Sequence, residues 1–160
     1  MRPCRLSWVT YTIRFARADE ASTLSALALR SKGHWNYSED FLELCRDELT
    51  YSAEKCGSGD VFVAEHDGQV LGFAAIDGTP PDGELEALFV DIGAMGRGVG
   101  GGLLQHVLKI ARNRGFTSLT LQADPGAEPF YAHHGAIRIG EAPSGSIPGR
   151  ILPELTFCLT

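Results

Sequence analysis

The chain has 160 residues, the size of a single domain, and a folded chain of this length buries roughly 70% of its unfolded surface without a disulfide or a metal. Its 44% apolar and 21% charged residues are typical of a globular protein and exclude a disordered chain. The net charge of −6 argues against nucleic acid or an anionic membrane as the main partner.

Membrane insertion, secretion and metal binding find no support in the sequence. No apolar run approaches the roughly 20 residues that span a bilayer, and the first residues lack the apolar core of a signal peptide. The four cysteines have neither CxxC nor metal-ligand spacing. We therefore predict a cytoplasmic protein with reduced thiols, no metal, no membrane contact and no nucleic-acid partner.

The elements of the chain are predicted from apolar periodicity and from capping and turn residues. Residues 1–10 are expected to be an extension ahead of a single domain over residues 11–160. In the first half we predict a strand over 11–16, a helix over 19–33, a second helix from Ser38 that ends before Gly57, and a hairpin with strands over 61–66 and 70–76.

The second half begins with a Gly/Pro-rich loop over 78–83, which no helix or strand is expected to tolerate. After it we predict a strand over 84–90, a glycine-rich turn, a helix that ends at Gly115, a strand over 118–122, a short helix over 124–134 and closing strands over 136–139 and 155–159. A crossover helix makes strands 4 and 5 parallel, whereas strands 2 to 4 form an antiparallel meander. The order β-α-α-β-β-β-α-β-α-β-β thus predicts an α/β fold (an α+β mixed sheet) with helices on both faces.

The glycine-rich stretch from Met95 to Gly102 lies between a predicted strand and a predicted helix. Glycines there permit positive φ and close approach of a ligand, and the unpaired N–H groups of a helix start attract an anion. We predict a phosphate or pyrophosphate site; the alternative is a flexible loop ahead of a helix. An ATP- or GTP-binding P-loop is disfavoured because this stretch has no lysine where the P-loop motif requires one. A dinucleotide-binding fingerprint fits poorly because a three-stranded meander comes before it.

The stretch from Leu88 to Gly100 resembles the central motif of the GNAT superfamily of acyl-CoA-dependent N-acetyltransferases. That motif reads Gln/Arg-x-x-Gly-x-Gly/Ala after an apolar strand end. Gly98 and Gly100 fall on its glycines, and Met95 stands where Gln or Arg is usual.

Residues 124–136 are similar to a second motif of the same family, Asn-x-x-Ala-x-x-Phe-Tyr-x-x-x-Gly-Phe. Ala127, Phe130, Tyr131 and Gly135 match it. Asp124 replaces the frequent Asn, and Ala136 replaces the frequent Phe.

The resemblance covers residues 11–160 and implies a sheet that splays between strands 4 and 5, with the pantetheine arm of acetyl-CoA in the gap. It places the donor against three groups of residues. These are Leu88, Phe89 and Val90 beside the pantetheine; Met95, Gly96, Arg97, Gly98, Val99, Gly100 and Gly101 around the pyrophosphate; and Asp124, Ala127 and Phe130 of the second motif.

Acetyl transfer to an amine needs a base for the amine and an acid for the leaving thiolate. The resemblance places Tyr131 near the sulfur, and a phenol is protonated at neutral pH, so Tyr131 is the predicted general acid. Glu84 and Glu86 share one face of the fourth strand by their spacing of two, and one of them is the predicted base. The resemblance favours Glu84, which stands where some family members carry a glutamate base. The alternatives are a core aromatic and carboxylates that only attract a cationic amine.

Aromatic residues between the first two helices suit the acceptor side, where this family often binds its amine. His34, Trp35 and Tyr37 are the predicted acceptor-binding residues, since aromatic faces hold an ammonium by cation–π contact. The alternative for Trp35 is that it fills the core.

The function expected from the resemblance is transfer of an acetyl group from acetyl-CoA to a primary amine of a small molecule or a protein N-terminus. Neither motif contains a cysteine, so direct transfer in a ternary complex is expected rather than an acyl-enzyme. Two alternatives stay open: a non-catalytic acyl-CoA-binding or sensing domain on the same fold, and a dinucleotide-binding oxidoreductase. Members of the family commonly dimerise, which makes a homodimer a candidate assembly.

Overall fold

The computed structural model of the chain describes residues 10–34, 37–144 and 147–159. The predicted acceptor residue Trp35 lies outside the described residues, as does the predicted N-terminal extension apart from Thr10. Within the described residues, no helix is long and apolar enough to cross a membrane.

Seven strands and five helices make up the described domain, with short 3-10 turns at Ala18–Glu20, Ile92–Ala94 and Pro125–Ala127. In chain order they are β1 (Thr12–Phe15), α1 (Ala21–Gly33), α2 (Glu39–Cys45), α3 (Ala53–Cys56), β2 (Val61–His66), β3 (Gln69–Thr79), β4 (Asp82–Val90), α4 (Val99–Asn113), β5 (Ser118–Gln122), α5 (Glu128–His133), β6 (Ile137–Pro143) and β7 (Ile151–Cys158).

The single helix predicted from Ser38 towards Gly57 is wrong, because the chain forms two shorter helices there. α2 ends at Cys45, and α3 begins after Ser52, whose hydroxyl accepts the Lys55 N–H at 3.0 Å and caps the new helix. Between them the Tyr51 N–H donates to the Ser25 hydroxyl of α1 at 2.9 Å. A tertiary hydrogen bond thus replaces the helical one and ends the periodic segment.

The loop predicted over 78–83 is also wrong, because both flanking strands continue into it. Gly78 pairs with Gly83 and Thr79 with Asp82, so only Pro80 and Pro81 remain as the turn. Gly83 leaves room for a neighbouring side chain, because a Cβ at this position would collide with the ring of Phe116.

The closing hairpin is longer than predicted. β6 extends to Pro143 and β7 begins at Ile151, with Pro143 paired to Ile151 and Pro153 paired to Glu141. Pro143 is tolerated because β6 is the edge strand of the sheet. Pro153 lies on β7, an interior strand, where its carbonyl accepts the Ala123 N–H at 3.0 Å.

The sheet has the order β1-β2-β3-β4-β5-β7-β6, antiparallel except for the parallel pair β4–β5. One face packs against α4 and α5 around Phe62, Leu104 and Leu119. The other face packs against α1, α2 and α3 around Leu24, Leu27 and Phe73. The predicted mixed sheet with helices on both faces is confirmed.

β4 carries a bulge at Glu86. Ala75 of β3 lies opposite Ala87, and the next residue, Ile76, lies opposite Leu85, so Glu86 is an extra residue without a partner on β3. Leu85 and Ala87 consequently pack into opposite core layers, although two residues apart in a regular strand share one face. The bulge therefore sets how β4 presents its side chains at the place where the sheet opens.

Candidate active site

The sheet opens between β4 and β5. The two strands pair only from Asp82 with Ser118 to Glu84 with Thr120, and their carboxyl halves diverge beyond that point. The opening is a groove of about 910 Å³, lined on its two walls by residues 84–90 and residues 121–124. Ligand sites of sheets with parallel strands commonly lie in such a crevice at the carboxyl ends.

The wall formed by β4 offers backbone hydrogen-bonding groups to the groove. The Asp91 N–H donates to the Leu71 carbonyl at 2.8 Å, on the β3 side. Because N–H groups alternate in direction along a strand, the N–H groups of Leu88 and Val90 point away from β3 and towards the gap. Both residues line the groove, and so does Phe89.

The amino end of α4 closes the far end of the groove. Gly98 is its N-cap in the left-handed conformation with φ 83°, and Gly96 has φ 78°, a region that only glycine enters without cost. The first N–H groups of α4 have no partner within the helix and suit an anion, together with the helix dipole. Met95, Gly96, Gly98, Gly100 and Gly101 line the groove, whereas Val99 is buried and Arg97 is exposed beside it.

Tyr11 supports this turn, a role that was not predicted. Its hydroxyl donates to the Gly98 carbonyl at 3.2 Å, and the same carbonyl accepts the Gly102 N–H at 3.0 Å. A Cβ at Gly102 would collide with the Tyr11 hydroxyl, which accounts for a glycine inside the first turn of the helix. Tyr11 and Gly98 lie 87 residues apart, so no local pattern indicates the contact.

Glu84 and Glu86 both line the groove near the point where the β4–β5 ladder ends, and Lys55 lines it as well. The Lys55 Nζ lies 3.6 Å from Glu86 Oε1 and donates to the Ile76 carbonyl at 3.0 Å. Burial raises the pKa of Glu86, and the charges of Asp77 and Glu84 add to this, while Lys55 partly offsets it. Glu86 is therefore a carboxylate that holds a proton more readily than a glutamate free in solution does.

Tyr131 lies on α5 at the opposite wall, with only 8% of its surface exposed. Burial raises the pKa of its phenol, and the nearby charge of Asp124 raises it further. No described residue forms a hydrogen bond with its hydroxyl, which lines the groove. A neutral hydroxyl facing a cavity is the arrangement that a proton donor requires.

The other predicted residues of the second motif also reach the groove. Phe130 lines the groove and packs over Gly100, where its ring would lie 3.6 Å from an added Cβ. Ala127 and Asp124 line the wall of the groove next to Tyr131.

Asp124 has partners within the protein. Its Oδ2 accepts hydrogen bonds from the Tyr37 hydroxyl at 2.6 Å and from Lys32 Nζ at 3.2 Å, while Oδ1 accepts the Gly126 N–H at 3.0 Å. Burial alone would raise the pKa of Asp124, but these hydrogen bonds outweigh it and hold the pKa below its usual value. Asp124 is therefore a charged carboxylate at the wall of the groove.

The structure places the two described members of the predicted acceptor set, His34 and Tyr37, outside the lining of the groove. His34 is exposed and does not line the groove, while Tyr37 is half-buried behind Asp124, stacked on Phe41 with ring centroids 4.0 Å apart. Tyr37 also accepts a hydrogen bond from Arg150 at 2.7 Å. Lys32 and Ser31, which were not predicted, line the groove at this position.

Among the described cysteines, Cys45 and Cys56 are buried and Cys158 is exposed, and none of them lines the groove. The described residues also contain no cluster of three or more His, Cys, Asp or Glu side chains suited to a metal ion.

Comparison with known proteins agrees with this geometry. The family model described as "Acetyltransferase (GNAT) family" matches residues 27–136, more than two thirds of the chain. The chain belongs to the GNAT acetyltransferase family. As a member it is an acyltransferase, specifically an N-acetyltransferase, and the resemblance of its two motifs is confirmed.

Three similar proteins illustrate the relationship. A 5-NmdU N-acetyltransferase of Pseudomonas phage PaMx11 is 28% identical over 136 residues, which cover 83% of this GNAT chain and 91% of the phage protein. A GCN5-related N-acetyltransferase structure from Rhodopseudomonas palustris has a TM-score of 0.78 at 26% identity and covers 95% of this chain and 98% of its own. The PaiA N-acetyltransferase of Thermoplasma acidophilum, solved in complex with coenzyme A, has a TM-score of 0.74 at 18% identity. The match covers 94% of this chain and 99% of the PaiA chain, which shows the shared fold.

Proposed function

We propose that this protein transfers an acetyl group from acetyl-CoA to the primary amine of a small molecule, by direct attack in a ternary complex. The observation that carries the proposal is the groove between β4 and β5, which runs from the amino end of α4 to Glu84, Glu86 and Tyr131. It joins an anion-binding helix start to a pair of carboxylates and a buried phenol.

The residues of the groove fit acetyl-CoA. The N–H groups at the start of α4, from Gly98 to Gly101, suit the pyrophosphate. The gap-facing N–H groups of Leu88 and Val90 suit the amide carbonyls of pantetheine and the thioester oxygen, where negative charge develops during transfer. The side chains of Phe130 and Ala127 pack along the same wall.

The reaction follows from the placement of the side chains. The ammonium of the acceptor gives one proton to Glu84 or Glu86, directly or through water, and the neutral nitrogen then forms a bond to the acetyl carbon. The bond between that carbon and sulfur breaks, and the thiolate takes a proton from the Tyr131 hydroxyl. The nitrogen releases its second proton, which returns through water to the Tyr131 phenolate. The products are an N-acetylated amine and coenzyme A.

Glu86 is the better placed of the two bases, because its pKa is raised and the bulge presents it beside Lys55 at the end of the groove. Direct transfer is supported by the described cysteines, none of which lines the groove where an acyl-enzyme would form.

A small acceptor is supported by the phage relative, whose name specifies N-acetylation of 5-NmdU. The cytoplasmic location and the homodimer stay predictions.

The experiment that tests the donor is thermal unfolding of the purified protein with acetyl-CoA, NAD, NADP and ATP in parallel. A ligand at 100 times its dissociation constant stabilises the folded state by about 2.7 kcal/mol, which corresponds to a rise of roughly 5–10 °C in Tm. We expect the rise with acetyl-CoA alone, followed by release of coenzyme A when amines are added. A rise with NAD or NADP and none with acetyl-CoA would overturn the proposal, and acetyl-CoA binding without coenzyme A release for any amine would favour a sensing domain.

A further inference from the structure

Two cations lie against a single carboxylate at the wall of the groove. Lys32 Nζ is 3.2 Å and an Arg150 guanidinium nitrogen is 3.6 Å from the same oxygen, Oδ2 of Asp124. We call these three residues the Lys32–Asp124–Arg150 cluster. It joins the end of α1, the segment just after β5 and the residue before β7. Lys32 and Asp124 lie 92 positions apart in the chain.

The cluster has a surplus of positive charge in a partly buried position. The side chains of Lys32 and Arg150 are only 18% and 19% exposed, and that of Asp124 is 12% exposed. Asp124 is the only described carboxylate within 4 Å of either cation. Buried charges are ordinarily paired one to one, so one cation here lacks its own anion.

Aromatic rings offset part of this surplus. The Arg150 guanidinium lies 4.8 Å from the centroid of Phe41 and 5.0 Å from that of Tyr37, and Lys32 Nζ lies 5.3 Å from that of Tyr37. Cation–π contacts are weaker than pairing with an anion, so the cluster remains attractive to a second negative group.

The cluster faces the place where the acceptor must bind. Lys32 and Asp124 line the groove, and Tyr131, buried and without a hydrogen bond to any described residue, lines it beside Asp124. Glu84 and Glu86 lie on the β4 wall and suit an ammonium, whereas Lys32 lies outside both strands, on α1. The groove therefore offers a negative and a positive position to one molecule.

We propose that the acceptor carries an anionic group, a carboxylate or a phosphate, in addition to its reacting amine, and that Lys32, supported by Arg150, binds this group. The inference rests on the proposed function and specifies its substrate class. Asp124 keeps the two cations in place, and the anion of the acceptor completes the charge balance of the cluster.

Binding of simple anions tests the subsite without turnover. The protein is first saturated with coenzyme A, so that the start of α4 is occupied, and inorganic phosphate and acetate are then titrated by calorimetry at constant ionic strength. We expect binding in the millimolar range that Lys32→Gln weakens at least tenfold. Lys109→Gln removes an exposed lysine of α4 and serves as the matched control without effect. Absence of anion binding, or equal binding by Lys32→Gln, would overturn the proposal.

Matched acceptors test the consequence for catalysis and separate carboxylate from phosphate. Coenzyme A release is measured with 3-aminopropanoate against 3-aminopropanamide, and with 2-aminoethyl phosphate against 2-aminoethanol. We expect kcat/KM at least tenfold higher for the anionic member of one pair, and we expect this ratio to fall towards one in Lys32→Gln and to be retained in Lys109→Gln. A preference for the neutral members would overturn the anionic acceptor. Anion binding without release from any amine would leave the subsite standing and count against the proposed function.

Discussion

At the scale of single residues, the two walls of the groove hold titratable groups of opposite purpose. Tyr131 on α5 is buried with its phenol neutral, and Glu86 on β4 lies beside Lys55 with 31% of its side chain exposed. One group is suited to give a proton and the other to take one. For each role, one substitution abolishes the proton transfer and keeps the shape of the side chain.

Tyr131→Phe is expected to lower kcat by about 10²-fold or more, because general acids contribute 10² to 10⁴ in rate. The KM for acetyl-CoA should change little, since the ring still packs against Phe130. Steady-state kinetics at saturating acceptor measures the effect. Tyr51→Phe is the matched control at the other tyrosine that lines the groove, and an unchanged kcat in Tyr131→Phe would contradict the acid role.

Glu86 predicts a specific pH dependence. A base works only when deprotonated, and the pKa of Glu86 is raised by burial, so activity is expected to fall as pH drops through a value above the ordinary glutamate pKa of about 4.3. Lys55→Met removes the cation that lowers this pKa, so it should move the acid limb of kcat/KM to higher pH. Glu86→Gln should abolish the limb and Glu84→Gln should keep it; the reverse pattern would make Glu84 the base.

At the scale of elements, the start of α4 depends on a strand from the opposite end of the sequence. The Tyr11 hydroxyl, next to β1, holds the Gly98 carbonyl and thereby the orientation of the N–H groups that face the groove. Helix and turn are thus positioned by tertiary contact as well as by their glycines.

Tyr11→Phe is expected to weaken acetyl-CoA binding about three- to tenfold, because a hydrogen bond contributes on the order of 1 kcal/mol. Acetyl-pantetheine lacks the pyrophosphate and provides the control, since its binding should be unchanged. Calorimetric titration of both ligands measures the difference. Equal weakening of both would indicate a general structural role of Tyr11 instead of support for the turn.

Local patterns in the sequence predict the elements that carry the chemistry better than they predict how these elements meet. The turn from Met95 to Gly102 and the segment around Tyr131 were predicted because glycine conformation and helical spacing act within a few residues. The contact of Tyr37 with Arg150 joins residues 113 positions apart, and no local signal indicates it. The bulge at Glu86 and the split of the second predicted helix likewise arise from packing between layers, which one sequence does not display.

At the scale of the whole molecule, ion pairs at the other end of the sheet connect β1 to β2 and to the start of α1. Arg14 binds Glu20 through two hydrogen bonds of 2.9 and 2.8 Å and also contacts Glu65. The hydrogen bonds from Arg14 lower the pKa of the buried Glu20, although burial itself opposes this.

Stability is therefore expected to decrease in acid. A carboxyl group whose pKa is lower in the folded state stabilises it fully above the unfolded pKa of about 4.3, and this contribution is lost as pH falls through the folded value. Glu20→Gln should cost about 1–3 kcal/mol of unfolding free energy at pH 7 and flatten the loss below pH 4.5. Urea unfolding from pH 7 to pH 3 measures both, and parallel curves for the variant and the parent protein would contradict the assignment.

The β4–β5 ladder ends early, and this leaves backbone hydrogen-bonding groups of β4 without partners on β5. Beyond Glu84 and Thr120 the sheet is interrupted at its centre, with the backbone of Leu88 and Val90 turned towards the interruption. A bound pantetheine would act as the missing rung, so the ligand completes the secondary structure as well as the catalytic site. Amide hydrogen exchange of Leu88 and Val90 should consequently be slowed by acetyl-CoA far more than that of Phe89, whose N–H already faces β3.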